Sequence, residues 1–373
     1  MIQMDLEFST PCLFGLEGLV ANELRRLKLD NVRAENGRVR FSGSEGDIAR
    51  VNIRLRFGER LLIQLGEFPA ATFEELFQGV KALPLERFIP RDGAFPVKGH
   101  SLDSKLFSIP DCQKIIKKAA AARLGQVYHT DWMPETGSVY QLQFAIMKDT
   151  AHIYLDTTGP GLFKRGYRPA HVSAPLRETL AAAIVDLSHY RGKGDFCDPF
   201  CGSGTIAIEA ALIAKNRAPG LSRSFSAQSW KTLDAGIWRA AREEAIAAEF
   251  SGDYRIFASD IDPKAVEMAQ KNAQRAGVDD IIEFSVADAR QFSRTTDRGI
   301  LACNPPYGER MLEKAECERL YRDFGKAVLP LDNWQMYILS SHTEFERSFG
   351  RTADKKRKLY NGMIKCELYM YNK

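Results

Sequence analysis

The stretch "GDFCDPFCGSGTIAIEAALIAKN", residues 194–216, decides the fold. A short apolar run ends at Asp198, Gly202 and Gly204 follow, and an apolar helical run starts at once. Strand, tight turn and helix in that order form the repeating unit of an α/β sheet. The glycines let the backbone turn sharply and approach a ligand closely. The helix behind them offers free N–H groups at its first turn. A phosphate-cradling Walker loop needs Gly-Lys-Ser/Thr, which is missing. Gly202, Gly204 and Ala207 meet the dinucleotide spacing, yet the acid expected about twenty residues further on is absent from "LSRSFSAQ" (221–228).

The same alternation continues outward. "LRETLAAAIVDLSHY" (176–190) predicts a helix before the strand, and "YRIFASDID" (254–262) a second strand. "PKAVEMAQKNAQRAG" is a helix with Pro263 in its first turn. "IIEFSVAD" (281–288), "RGILACN" (298–304) and "NWQMYILSS" (333–341) are further strands. "LYNGMIKCELYMYN" (359–372) reads as a closing hairpin around Asn361 and Gly362. The expected architecture is a doubly wound, mainly parallel sheet with an antiparallel C-terminal hairpin.

The first half differs. "GLEGLVANELRRL" (15–27) is helical and "GRVRFSG" (37–43) alternates like a strand. "TFEELFQGVKAL" (72–83) carries a capping box, Thr72 with Glu75. A strand over 94–101, a helix over 109–125 closed by Gly125, and a hairpin over 140–159 follow. This is an α+β pattern. "GPGLFKRGYRPAHVSAP" (159–175), rich in proline and glycine, is expected to be a linker. The division is therefore an N-terminal segment (1–65), a second module (66–160), the linker (161–175) and the α/β domain (176–373).

The chain has 373 residues and a net charge of +4, which neither demands nor excludes a nucleic-acid partner. Seven cysteines form no paired framework, and the Cys197–Cys201 spacing lacks the partners of a zinc site, so reduced thiols in the cytoplasm and no metal are expected. Asp5 and Glu7 interrupt any secretory leader, and no apolar run is long enough to span a membrane.

In an open α/β sheet, ligands sit beyond the carboxyl ends of the strands. Asp260 closes a strand where a carboxylate could accept both hydroxyls of a ribose, and Ile261 could cover an adenine face. Asp262 reads as the cap of the helix at Pro263. Asp288 could accept from an adenine amine. Ribose and adenine are served without a complete phosphate cradle, which suits S-adenosylmethionine. "NPPY" (304–307) occupies a fourth strand end. An exocyclic base amine is a poor nucleophile. The Asn304 side-chain oxygen and the Pro305 carbonyl could hold it toward a methyl donor. Pro305 and Pro306 stiffen the backbone, and Tyr307 could stack on the base. No strong general base is required.

"DPFCGSGT", "SDID" and "NPPY" resemble the motifs of class I amino-group methyltransferases. The whole chain is similar to bacterial THUMP-domain RNA methyltransferases, a family that includes the N-terminal half of the 23S rRNA guanine-N2 methyltransferase RlmL. The likeness rests on "TPCLFGLEGLVANEL", "ATFEELFQGVKALP", "FPVKGHSLDSKLFSIPDCQKIIKKA", "FKRGYRPAHVSAPLRETLAAA", "NPPYGER" and "KRKLYNG". It implies a Rossmann-like methyltransferase domain behind a ferredoxin-like segment and a THUMP module. It implies S-adenosylmethionine, held by Asp198, Pro199, Cys201, Gly202, Gly204, Thr205, Asp260, Ile261, Asp288, Ala289 and Asn304. Guanosine N2 in 23S rRNA is the implied acceptor, and Asn304 to Tyr307 hold the base. Lys98, Lys105, Lys114, Lys117 and Lys118, then Lys355, Lys356, Arg357 and Lys358, are expected on RNA phosphates. Arg165 and Arg168, in the supposed linker, join them. The long RlmL type has a second methyltransferase domain, whereas this sequence stops at Lys373, so a single modified site, or a different RNA, is expected. A tRNA substrate, an adenine-N6 methyltransferase of DNA, and an RNA-binding protein without activity are the competing readings.

Overall fold

The computed structural model describes residues 5–168, 176–307 and 314–372. Fourteen strands run in chain order: β1 Leu6–Pro11, β2 Asp30–Glu35, β3 Arg38–Gly43, β4 Leu62–Pro69, β5 Val97–Leu102, β6 Leu142–Met147, β7 Thr150–Asp156, β8 Asp195–Asp198, β9 Arg255–Asp260, β10 Ile282–Val286, β11 Gly299–Cys303, β12 Trp334–Ser340, β13 Lys355–Asn361 and β14 Ile364–Tyr371. The helices are α1 Glu17–Arg26, α2 Glu45–Arg54, α3 Phe73–Lys81, α4 Ile109–Tyr128, α5 Glu178–Leu187, α6 Thr205–Ala214, α7 Gly236–Ala247, α8 Pro263–Ala276, α9 Lys314–Val328 and α10 Phe345–Phe349.

The chain divides into two compact units. The first comprises the described residues of Met1–Cys12, Val20–Leu162 and Ser224–Glu244. Its strands form one sheet in the order β2-β3-β1-β4-β7-β6-β5. Every neighbouring pair is antiparallel except β5 with β6. Thr72 caps α3 with both bonds of the capping box present. Helix α4 runs past Gly125 to Tyr128, and His129 takes the left-handed cap at φ 51°. Gly125 instead lends its carbonyl to Thr130 N–H, 3.0 Å away.

The second unit comprises Leu13–Leu19 and the described residues of Phe163–Arg223 and Ala245–Lys373. Its sheet runs β10-β9-β8-β11-β12-β14-β13. The pairs from β10 through to β12 are parallel, and β14 and β13 close the sheet antiparallel. This is the doubly wound, mainly parallel sheet with an antiparallel closing hairpin that the sequence predicts; the strand order itself comes from the structure. The order reverses at β8, so the crevice between the carboxyl ends of β8 and β11 is the switch point where such sheets take ligands. Behind it lies a dense aromatic core including Phe324, Trp334, Phe345, Phe349 and Tyr371. Among the described residues no helix is long and apolar enough to cross a membrane.

Candidate active site

Four strand ends meet at the switch point of the second unit. After β8 the chain turns through Gly202 at φ +51° and Gly204 at φ +83°, a conformation that disfavours every residue with a Cβ. A Cβ on Gly204 would lie 2.9 Å from the Ala269 Cβ, so glycine is also what lets α6 approach α8. A Cβ on Gly202 would meet nothing within 4 Å, which leaves open space beside the loop. The turn is pinned at Cys201 N–H, which donates to Ser259 O at 2.9 Å, and at Gly204 N–H, which donates to Cys201 O at 2.7 Å. Asn272 of α8 reaches Ser203 O at 2.9 Å.

Asp198 is 1% exposed and accepts only weakly from Phe200 N–H, at 3.3 Å. Burial pushes its carboxyl well above the ordinary range, the Phe200 N–H pulls the other way, and the nearby Asp260 charge raises it further. A buried acid with so little internal compensation suits a ligand carrying positive charge or donors. Pro199 follows it into the turn. Burial likewise raises the Cys197 and Cys201 thiols, and the described cysteines are free.

Asp260 accepts from Gly202 N–H at 2.9 Å and from Asp262 N–H at 3.0 Å. Its carboxylate is thereby fixed in orientation, with further lone pairs left for ribose hydroxyls. Asp262 caps α8 as the sequence indicated, accepting from Lys264 N–H at 2.9 Å. Ile261 and Val286 are 62% and 56% exposed, two apolar side chains on adjacent strand ends. Such surfaces suit the faces of an adenine ring. Asp288 has a partner within the chain: Arg290 grips it through the guanidinium, with Nε 3.0 Å from Oδ1 and Nη2 2.5 Å from Oδ2. That contact holds the Asp288 carboxyl below its usual range. An adenine amine reaching Asp288 would share it with Arg290. Ala289 beside them is buried.

Asn304 to Tyr307 leave the end of β11. The Pro306 carbonyl accepts from Tyr321 Oη at 2.5 Å and from Cys317 Sγ at 3.5 Å, both on α9. Residues 317 and 321 share one helix face, so this helix fixes the path of the di-proline turn. Pro305 is buried. The Tyr307 hydroxyl donates to Asn304 Oδ1 and lies 4.0 Å from the Cys366 Sγ of β14. Burial raises the phenol well above its ordinary value. The Asn304 oxygen expected to face a substrate amine thus already accepts one hydrogen bond, from Tyr307, and keeps a second lone pair.

Several residues expected on RNA lie elsewhere. Arg165 is 2% exposed and paired with Glu209 of α6, and Arg168 is paired with Glu178 of α5 at 2.5 Å. The stretch around them is no exposed linker: Leu162, Arg165 and Tyr167 are all buried. Neither arginine can meet a phosphate without abandoning a buried carboxylate. Lys117 is spent on Glu135 at 2.6 Å and on the Phe95 ring, 3.6 Å from its centroid. Lys356 pairs with Glu346 at 2.8 Å, and Arg357 donates to Gly15 O. Lys98, Lys105, Lys114, Lys118, Lys355 and Lys358 are exposed. Residues 169–175, 308–313 and 373, which include parts of two quoted motifs, lie outside the described residues.

Comparison with known proteins identifies the family of the chain. The family profile of RMKL-like methyltransferase domains matches residues 165–370, that of the RlmL ferredoxin-like domain 7–62, and that of the THUMP domain 70–156. A Bacillus subtilis (strain 168) protein provisionally named RNA methyltransferase YpsC is 45% identical over 362 residues, covering 96% of this chain and 93% of that protein. The ribosomal RNA large subunit methyltransferase K/L of Psychromonas ingrahamii is 34% identical over 377 residues; the match covers 98% of this chain and 50% of that protein, so the chain spans about half its length. A solved structure of SMU.472, provisionally a methyltransferase and complexed with S-adenosylhomocysteine (SAH), superposes with a TM-score of 0.94 at 42% identity, covering 100% and 99% of the two chains.

Proposed function

The chain belongs to the RMKL-like methyltransferase family, its cofactor is S-adenosylmethionine, and from that premise we propose that it methylates the exocyclic N2 amine of a guanosine in 23S rRNA. The observation that carries the chemistry is the strand-end constellation: a glycine turn, two carboxylates and a di-proline-stiffened Asn304 around one switch point. The THUMP module over 66–160 is the part proposed to hold RNA, and the domain over 176–373 the part proposed to act.

The cofactor supplies an activated methyl on a sulfonium. Everything else falls to this chain. The backbone of Gly202 and Gly204, with Thr205 behind them, receives the amino-acid end. Asp260 takes the ribose hydroxyls, and Ile261 and Val286 enclose the adenine. Asn304 Oδ1 and the Pro305 carbonyl accept the two amine hydrogens, which turns the nitrogen lone pair toward the methyl. With the cofactor bound, the nitrogen would gain the methyl and a positive charge as the C–S bond breaks and S-adenosylhomocysteine leaves; those acceptors would then bind it more strongly and favour the transition state over the ground state. The proton then released is acidic and passes to solvent. A base in a duplex must first leave the stack, and an unpaired rRNA loop avoids that cost.

Replacing Asn304 by Ala tests this reading. Transfer should fall by at least about 100-fold, the scale of one lost transition-state contact, while calorimetry shows unaltered binding of SAH. An unaffected rate would remove Asn304 from the chemistry.

A further inference from the structure

The two arginines withdrawn from the RNA surface sit where they can act on the cofactor loop. Each guanidinium nitrogen of Arg168 has a partner. Nε donates to Glu178 Oε1 at 2.9 Å, and Nη2 lies 2.5 Å from Glu178 Oε2. Nη1 donates to Leu176 O at 3.1 Å and to Thr205 Oγ1 at 3.2 Å. Thr205 is the first residue of α6, directly after Gly204. Its hydroxyl also lies 3.1 Å from Ser203 Oγ inside the loop. One turn further along α6, the fully buried Glu209 accepts from Arg165 Nε at 3.3 Å and from Tyr167 Oη at 3.2 Å. Thr205 and Glu209 are four residues apart, so they share one face of the helix. Arg165 and Arg168 thus grip consecutive turns of the helix whose N-terminus carries the glycine loop.

Stability alone is a poor reason for this arrangement. Two arginines and two carboxylates out of water cost desolvation that their attraction barely offsets, and apolar replacements of such groups are often neutral or better. What a charge-paired buried network supplies is one fixed geometry; here Glu178 Oε2 is held as an ion-pair partner of Arg168, and Glu209 Oε2 has no hydrogen-bond partner among the described residues. Burial works against the Arg165 charge, but Glu209, Tyr167 and Glu178 more than compensate and keep it ionised. The part of the site being fixed is its least tolerant one, because the free N–H groups of α6 must meet the ligand at hydrogen-bond distance.

We infer that Arg168, clamped by Glu178, is a positioning residue that sets the cofactor loop through the Thr205 hydroxyl, with the Arg165–Glu209–Tyr167 set bracing the next turn of the same helix. The inference rests on the cofactor site described above, and is independent of which base is methylated.

The test uses the full chain and SAH as the probe. In one variant Arg168→Met is combined with Glu178→Gln, so that no charge is left unpaired in the interior. A second is Thr205→Val, and a third combines all three changes. Calorimetry should show the dissociation constant for SAH rising about tenfold in the first, equivalent to about 1.4 kcal/mol. Thr205→Val should match it, and the triple variant should show no further loss, because both changes cut one path. In the Arg168→Met, Glu178→Gln variant KM for S-adenosylmethionine should rise in step, while kcat at saturating cofactor and the KM for RNA hold. An unchanged dissociation constant in a folded first variant would overturn the inference, as would losses that add in the triple variant. If the first variant does not fold, Thr205→Val decides, since it removes only a hydroxyl. The tenfold loss would then support the path, and unaltered binding would end it. Wild-type protein that binds no SAH would instead defeat the cofactor site itself.

Discussion

Replacing Tyr307 by Phe should make the enzyme bind its RNA more tightly. In the free protein the Tyr307 phenol donates to Asn304 Oδ1, the atom proposed to receive the target amine. The amine is proposed to take the lone pair that the hydroxyl uses, so it must displace that hydroxyl before it is held. A neutral hydrogen bond in a partly buried setting contributes about 0.5–1.5 kcal/mol net. Releasing it in advance is worth about 2- to 10-fold in apparent affinity, since 1.4 kcal/mol is about tenfold. Phenylalanine keeps the ring, so stacking on the base survives. Steady-state transfer of a labelled methyl group to unmodified rRNA would give kcat and KM separately. The reasoning requires KM for RNA to fall by about that factor without a lower kcat. In an Asn304→Ala background, the same change should leave RNA binding unaltered. A higher KM in the single variant would show that the hydroxyl serves the substrate rather than blocking its place.

Further expectations follow from the same geometry. Gly204→Ala should cost about 1–3 kcal/mol in denaturant unfolding, since φ +83° is retained only with strain and the new Cβ meets Ala269; unaltered stability would contradict the backbone reading. Glu209→Gln should destabilise by about 3–5 kcal/mol, because it leaves Arg165 buried without its carboxylate, and it should do so in protein free of RNA. Asp198→Asn probes the raised carboxyl. Burial lifts its folded pKa above the unfolded value, so its contribution is most favourable at low pH and is lost as pH rises from about 4. The variant should therefore gain stability over wild type as pH rises toward neutrality, while losing cofactor affinity; a gap that is constant with pH would refute this. Finally, Lys105→Ala and Lys114→Ala should each lower the salt slope of RNA binding by about 0.7–0.9 if they meet phosphates, whereas Lys117→Ala should leave it unchanged, its ammonium being held by Glu135.

The parts of this molecule that were legible in the sequence are those where a residue type performs a backbone task. Gly202 and Gly204 adopt the left-handed region that only glycine takes freely. Asp262 with Pro263 starts α8, and Thr72 with Glu75 boxes α3. The alternation of strands and helices gave the parallel sheet directly. Pairing over long sequence separations was not legible. Nothing local indicates that β4 lies between β1 and β7, joining the strands of the first unit into one seven-stranded sheet. Strands β1, β2 and β4 and helices α2, α7, α9 and α10 went unread, and with α9 the two residues that hold the Pro306 carbonyl.

The misreading of Arg165 and Arg168 is instructive. In a stretch rich in proline and glycine, a cation looks solvated. Yet the partner of Arg165 carries a signal of its own: Glu209 is the one charged residue in "TIAIEAALIA". A carboxylate on an otherwise apolar helix demands a buried cation. Sequence shows that the demand exists, and only the fold shows which residue, 44 positions away, meets it. Asp288 is the converse case, since its partner Arg290 lies two residues on and was visible throughout.

The most direct test of the central claim is the identity of the product. The protein is incubated with S-adenosylmethionine and with unmodified rRNA, tRNA and DNA separately, and each digest is resolved to nucleosides by mass spectrometry. The account predicts N2-methylguanosine in the rRNA digest. N6-methyladenosine in DNA, or N2-methylguanosine confined to tRNA, would contradict it.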